Sequence, residues 1–501
     1  MMNRKTRNWI VLIELAVGAI CFILFLHPFM EAMSEQDISG GGFRTFYRER
    51  TNSIDVMVFG SSHAACSFNN DIWWKEDGIA SFTLSCGGQN LPETVYYIEE
   101  AFKSQHPKVI LIETLNADRL PYSEDSGCYE LDIGELYRSN LSMRWGVSYL
   151  RMVQEQAKRY GISDALKWDM AFKFPVTHSN YSQISQEDYV RNESYIRGYR
   201  GDASVGSCAF PEFTEERAEL TPLCLESLDR IFDLCNRNNA IPVFFCAPYD
   251  ETGEEFAIQN SVGDYIRKHG YEFIDYNRIY KDIEFDFEND FRDDGNHLNN
   301  SGAEKITRAL LSAITDKYDF PDHRGDVRYS AWDENSRYLK DRAVETKLRR
   351  CSSIREYVNT LSEYKEEYGI MLSFSGQYNA LGDEFMSDAF EPIGLSRGDY
   401  TMGGTVVFDR GELLYYSGGD GKYHFSAQVG NNRIEAARLN PMSEQTAFST
   451  DDNNNDYLIV DNVDYAHIPQ GVNIVVFDPL LGRVIDSVGV DVFISADLVR
   501  Q

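Results

Sequence analysis

Ile54-Asp55-Val56-Met57-Val58-Phe59-Gly60-Ser61-Ser62-His63 passes from an apolar run directly into a turn of small residues. The run Ile54–Phe59 is short and rich in β-branched side chains, as a strand buried on both faces should be. Gly60-Ser61-Ser62 suits a tight turn, and the residues after it suit a helix that begins at once. Working outward, the same alternation recurs. Ser81–Leu84, Lys108–Glu113, Ile241–Ala247 and Glu272–Asp275 read as further strands. Between them lie helix-period stretches at Thr94–Lys103, Leu223–Asn236 and Gly263–Lys268, and Ser301–Tyr318 reads as a closing helix. Strands alternating with helices predict a parallel sheet covered on both faces.

Residues 120–215 interrupt this rhythm. They are rich in Tyr, Trp and Phe, with helical stretches near Gly146–Tyr160 and Ser185–Tyr195. An ordinary helical insertion and a lid or substrate wall both fit, since insertions at strand ends often carry specificity. Residues 320–350 are charged, have few apolar anchors and read as a linker. Beyond them the composition changes. A helix at Ser353–Tyr368 precedes short strands at Thr405–Phe408, Glu412–Tyr416, Ile474–Phe477 and Arg483–Ser487, separated by Gly-rich turns. Residues 351–501 therefore read as a separate α+β domain. The acidic tract at 451–456 lacks the glycine and final glutamate of a calcium loop and reads as a solvated turn.

The chain has 501 residues, enough for two or three folded units, and a formal net charge of −31. That charge argues against nucleic acid or anionic lipid as the main partner, because phosphate binding needs a basic surface. At the start, Arg4, Lys5 and Arg7 precede an apolar run from Trp9 to about Leu26, broken by Glu14. The run is long enough to span a bilayer as a helix. With basic residues before it and an acidic chain after it, the expected orientation leaves the N-terminus in the cytoplasm and the rest of the chain outside. The His27–Met33 stretch offers no small-x-small cleavage site, so residues 8–30 read as an uncleaved anchor and residues 31–53 as a stalk. Outside the anchor, eight cysteines show neither paired CxxC spacing nor a metal-ligand pattern. They read as buried thiols, with a Cys208–Cys224 or Cys224–Cys235 bridge as the alternative. No metal or cofactor is expected.

Two short motifs carry chemistry. Ser62 stands on a turn after a buried strand, at the carboxyl edge where open α/β sheets bind ligands. By itself the Gly-Ser-Ser turn would be read as a helix cap. Asp294-Gly295-Asn296-His297-Leu298-Asn299 precedes the last helix. Asp294 can aim its carboxylate at Nδ1–H of His297, leaving Nε2 to take a proton from Ser62. A loop aspartate beside a surface histidine is the plain alternative. The placement of both motifs at strand-to-helix loops of one sheet favours a Ser62–Asp294–His297 triad. His63 lies next to the serine on the starting helix and points elsewhere.

Gly60-Ser61-Ser62 and Asp294-x-x-His297 resemble the first and last blocks of the SGNH (GDSL-type) hydrolases, over residues of about 50–318. The resemblance implies a three-layer αβα sandwich with a five-stranded parallel sheet over 54–319, a serine esterase or acyltransferase activity, and an oxyanion hole. Leu84-Ser85-Cys86-Gly87-Gly88-Gln89 resembles the glycine block, and Gly88 matches it best. In Ile112-Glu113-Thr114-Leu115-Asn116-Ala117-Asp118, Asn116 falls one residue out of register with the asparagine block. Gly-Ser-Ser in place of Gly-Asp-Ser is similar to the membrane-anchored branch that includes DltD-type proteins and alginate-type O-acetyltransferases. That branch implies a cell-surface glycan or teichoic-acid-like polymer as substrate, and a membrane-bound O-acyltransferase as partner. Gly471–Asp478 and Gly482–Ser487 resemble interleukin-like EMT inducer (ILEI-type) domains, which implies carbohydrate binding by residues 351–501. The alternative expectation is a non-catalytic envelope scaffold that binds glycans and assists the acyltransferase.

Overall fold

The computed structural model describes residues 42–118, 122–123, 130–131, 143–173, 197–202, 204–206, 209–293, 297–375, 388–400, 403–419, 421–439, 456–469, 471–490 and 498–500, with scattered helical positions between 9 and 25. The chain divides into two units, Met1–Trp332 and Asp333–Gln501.

In the first unit every expected strand forms: β1 (Val56–Gly60), β2 (Ser81–Ser85), β3 (Val109–Glu113), β4 (Ile241–Cys246) and β5 (Glu272–Asp275). They make one five-stranded sheet in the order β2–β1–β3–β4–β5, and each neighbouring pair is parallel. The chain goes outward from β1 to β2, then returns past β1 to β3. The strand order therefore reverses between β1 and β3, and the carboxyl ends of these two strands flank the crevice that such a reversal opens.

Helices lie on both faces of this sheet. On one face, Val56, Val58, Val109, Leu111, Val243 and Phe245 pack against α1 (Ser62–Ser67), α2 (Asn70–Asp77) and α8 (Asn300–Thr315). On the other, Met57, Phe59, Ile110, Ile112 and Phe244 pack against α3 (Leu91–Ala101), α4 (Val147–Arg159), α5 (Asp164–Phe172), α6 (Pro222–Arg237) and α7 (Gly253–Lys268). Burial on both faces explains why the strands read as continuous apolar runs. The helix starts are written locally. Asn90 and Glu93 form a capping box on α3, Thr252 and Glu255 form another on α7, and Thr221 caps α6 ahead of Pro222.

Within the 120–215 insertion, α4 and α5 are built into this core. Tyr149, Met152 and Val153 of α4 and Met170 of α5 belong to the same cluster as the α3 and α6 side chains. The stretch expected as a helix at Ser185–Tyr195 lies outside the described residues. Residues 330–350, within the expected linker, form a helix, α9 (Ser330–Arg350). Its pattern of apolar positions is too weak to announce it. Trp332 at its start packs on Trp74, with ring centroids 6.0 Å apart, and under the Arg197 guanidinium at 3.5 Å. Among the described residues no helix is long and apolar enough to cross a membrane. The expected anchor at 8–30 falls mostly outside the described residues. Cys224 and Cys235 are free buried thiols, so neither proposed bridge forms.

The second unit is built on antiparallel sheets. After α10 (Ile354–Ser362) come β6 (Gly369–Ser375), β7 (Gly404–Asp409), β8 (Glu412–Gly418), β9 (Tyr423–Val429), β10 (Asn432–Arg438), β11 (Asp456–Val460), β12 (Val463–Asp464), β13 (Gly471–Asp478), β14 (Arg483–Val490) and β15 (Leu498–Val499). A six-stranded sheet has the order β8–β7–β6–β13–β14–β15, and a four-stranded sheet the order β9–β10–β11–β12. Met371, Val407, Val475 and Phe477 of the larger sheet meet Ile434, Ala436, Leu458 and Val460 of the smaller one. Residues of the opposite pleat, including Ile370, Leu372, Val406, Ile474 and Val476, pack on Val344, Leu348, Ile354, Tyr357 and Leu361 of α9 and α10. Alternation along each strand thus feeds two cores.

Candidate active site

The site begins at the end of β1. Gly60 has φ +151°, and a Cβ there would lie 2.7 Å from Glu113 Cβ and 3.0 Å from Ala64 Cβ. Only glycine lets the chain turn into α1 so close to β3. Ser61 caps α1, its Oγ accepting the His63 N–H at 3.1 Å. Ser62 is the first residue of α1, half-buried at the carboxyl edge of the sheet.

His297 reaches this serine from the far end of the unit. Its Nε2 lies 2.8 Å from Ser62 Oγ, and its Nδ1 lies 2.8 Å from Asp293 Oδ2. The other Asp293 oxygen accepts the His297 backbone N–H at 2.8 Å. One carboxylate therefore holds both the ring and the backbone of the histidine. An acceptor on Nδ1 favours the tautomer with Nδ1–H donating, which turns the Nε2 lone pair toward the serine hydroxyl. The carboxylate on Nδ1 is Asp293; the expected Asp294 lies outside the described residues. The signal that could have found Asp293 is the tandem Asp293-Asp294, in which either carboxylate is within a loop's reach of His297.

Packing of α8 sets this meeting. Thr307 is buried in α8; its Oγ1 accepts the Asn69 N–H at 2.9 Å and donates to the Ser67 carbonyl at 3.1 Å. Its carbonyl accepts Trp73 Nε1–H at 2.9 Å. These bonds fasten α8 to α1 and α2, so the loop before α8 stands over the start of α1. Asn299 caps α8 through the N–H groups of Ser301 and Gly302, and its amide donates to the carbonyls of Ser204, Asn289 and Phe291. The end of the insertion closes one side. The Gly206 N–H donates to the Phe291 carbonyl at 2.8 Å, and a Cβ on Gly206 would meet the Asp293 backbone within 3 Å.

The other expected residues fall at the same edge. Gly88 occupies a left-handed turn (φ +71°) after β2, which pairs with β1 as far as Gly60↔Ser85. Asn116 is buried after β3, and its Nδ2 donates to the Gln89 carbonyl at 3.3 Å, joining the loop after β3 to the Gly88 turn. His63 is buried with its ring centroid 5.1 Å from that of His297 and 5.8 Å from Tyr249. It packs against the histidine ring.

Sequence reasoning passed over Glu113. This last residue of β3 is 4% exposed, and burial pushes its carboxyl up to about 7. A carboxylate closing an otherwise apolar strand was the available signal. At the rim, burial, with the charges of Glu255 and Asp293, also pushes the Asp250 carboxyl up. Among the described residues no cluster of His, Cys, Asp and Glu could hold a metal ion. No protein-family model and no curated protein matches the chain.

Proposed function

We propose that residues 54–319 form an SGNH-type serine esterase or O-acyltransferase, outside the cell membrane and anchored to it by residues 8–30. The observation that carries this reading is the Ser62–His297–Asp293 relay, with 2.8 Å at both links, between residues 235 positions apart. Its place at the carboxyl edge of a parallel sheet supports an open catalytic cleft. Ser62 Oγ attacks the carbonyl carbon of an acyl ester or thioester while His297 Nε2 takes its proton. Backbone N–H groups of Ser62 and Gly88, with the Asn116 amide, stabilise the oxyanion. As the tetrahedral intermediate collapses, His297 returns the proton to the leaving oxygen or sulfur. The acyl-serine then passes to water or to a sugar hydroxyl, whose proton goes to His297 and then back to Ser62.

The substrate proposed is an acyl group, acetyl in the first instance, on a cell-surface polysaccharide or teichoic-acid-like polymer. A membrane-bound O-acyltransferase would be its partner, and residues 351–501 would bind the glycan. Full-length protein in detergent should react with a fluorophosphonate at Ser62 and cleave an acetyl ester. The Ser62→Ala and His297→Ala variants should do neither. Full ester cleavage by Ser62→Ala would sink the assignment.

One observation favours a second reading, a non-catalytic envelope scaffold. Asn116 commits one amide hydrogen to the Gln89 carbonyl rather than to the space beside Ser62. A folded wild-type chain that resists the fluorophosphonate but binds wall polymer would establish that reading.

A further inference from the structure

We infer that Glu113 is a positioning residue of the serine centre, tying the turn that presents Ser62 to the loop that carries Asn116. This inference rests on the reading of Ser62 as nucleophile. Glu113 Oε2 accepts the Ser61 hydroxyl at 2.9 Å and the Ser61 N–H at 3.4 Å. Its Oε1 accepts the Leu115 N–H at 2.5 Å. Among the described residues no lysine or arginine pairs with it, so these donors are what compensate a buried carboxylate. They do not serve the sheet ladder. They belong to the residue before Ser62 and the residue before Asn116.

The geometry makes Glu113 a control on the Ser61 rotor. Ser61 Oγ donates to Glu113 and at the same time accepts the His63 N–H. That pairing leaves the hydroxyl one orientation and fixes the cap on which Ser62 rides. Apart from the Ser61 hydroxyl, the donors facing Glu113 are backbone N–H groups that cannot turn away. An ionised carboxylate accepts from all of them. A protonated acid or an amide must direct a hydrogen of its own at one of them, which turns the Ser61 hydroxyl hydrogen away or sets a hydrogen against a backbone N–H of Ser61 or Leu115. Among the described residues a further titratable group near Glu113 is the Cys246 thiol at the end of β4, which burial holds well above the usual thiol range. It carries no charge near neutrality.

The test compares wild type, Glu113→Gln and Ser61→Ala as full chains in detergent. The readouts are the rate of fluorophosphonate labelling at Ser62, the kinetics of acetyl-ester cleavage from pH 5.5 to 9, and the melting temperature. Glu113→Gln should lower kcat and the labelling rate at least tenfold with KM nearly unchanged. It should also lose an inflection near pH 7 that the wild type shows beside that of its general base. Ser61→Ala, which keeps Glu113 but removes its hydroxyl donor, should lose several-fold in rate; it carries the test if Glu113→Gln does not fold. Wild-type rates and pH profile in Glu113→Gln, or a wild-type rate in Ser61→Ala, overturn the inference while leaving Ser62 as nucleophile. A wild type that is never labelled at Ser62 overturns the serine reading and this inference with it.

Discussion

At the scale of the residue, the site turns on which acid meets His297. Asp293 holds Nδ1 and the backbone N–H of the histidine with separate oxygens. Replacing it by asparagine leaves the size unchanged but lets an amide N–H face the ring. That favours the wrong tautomer and places a proton on Nε2, where the serine needs an acceptor. In the proposed reaction Asp293→Asn should reduce kcat by about 10²- to 10⁴-fold with little change in KM. Steady-state ester cleavage measures this directly, and a wild-type kcat in Asp293→Asn would remove Asp293 from the mechanism. Gly60 shows a constraint of another kind. Any side chain there meets Glu113 and Ala64, so Gly60→Ala should disturb the turn before Ser62 and lower the labelling rate together with stability.

At the scale of the element, α8 decides whether the serine and histidine meet. The helix is held to α1 and α2 through the buried Thr307, whose hydroxyl bridges the Asn69 N–H and the Ser67 carbonyl. Thr307→Val keeps the shape and leaves both groups without that bridge. The expected loss is about 1–3 kcal/mol of stability, measured by urea unfolding, with slower labelling of Ser62 as α8 drifts from α1. Unchanged stability would mean that apolar packing of Ile306, Leu310 and Ile314 suffices to dock the helix. In the second unit, neighbouring strands β10 and β11 bring Arg438 opposite Asp456, both fully buried. Asp456→Asn removes the balancing charge from a buried guanidinium, a change that costs about 3–5 kcal/mol in comparable pairs. The expected result is a lower melting temperature for that unit, with the Ser62 labelling rate preserved.

At the scale of the whole molecule, the buried carboxyls set a pH response of folding. Burial raises Glu113 from 4.5 to about 7; burial, and then the charge of Asp275, raises Glu251 from 4.5 to about 8. In the folded chain these acids hold protons that the unfolded chain has already released. Their contribution is therefore greatest below about pH 4.5, declines as pH rises toward 7 for Glu113 and 8 for Glu251, and is level beyond. Unfolding followed from pH 5 to 8.5 should show a flatter decline for the first unit in Glu113→Gln than in wild type. An equal slope in the two proteins would show that Glu113 titrates alike in the folded and unfolded states.

Much of this architecture was legible along the chain because its cause is local. Apolar runs such as Lys108–Glu113 carry the two-faced burial of a central strand in their own composition, and helix-period stretches such as Thr94–Lys103 and Leu223–Asn236 announce the helices between them. Ser62 and His297 could be singled out because small-residue turns and loop histidines at sheet edges are rare enough to be weighed together. α9 was not legible: its residues 330–350 are charged, and a few contacts such as Trp332 on Trp74 anchor its start. The sequence by itself determined the alternating units, their strands and the serine and histidine worth joining. Only the tertiary structure decided that Asp293 holds the histidine ring and that Glu113 links two loops of the site. Loop carboxylates are alike in sequence, and the direction in which each one points is set by helices and strands packed from distant parts of the chain.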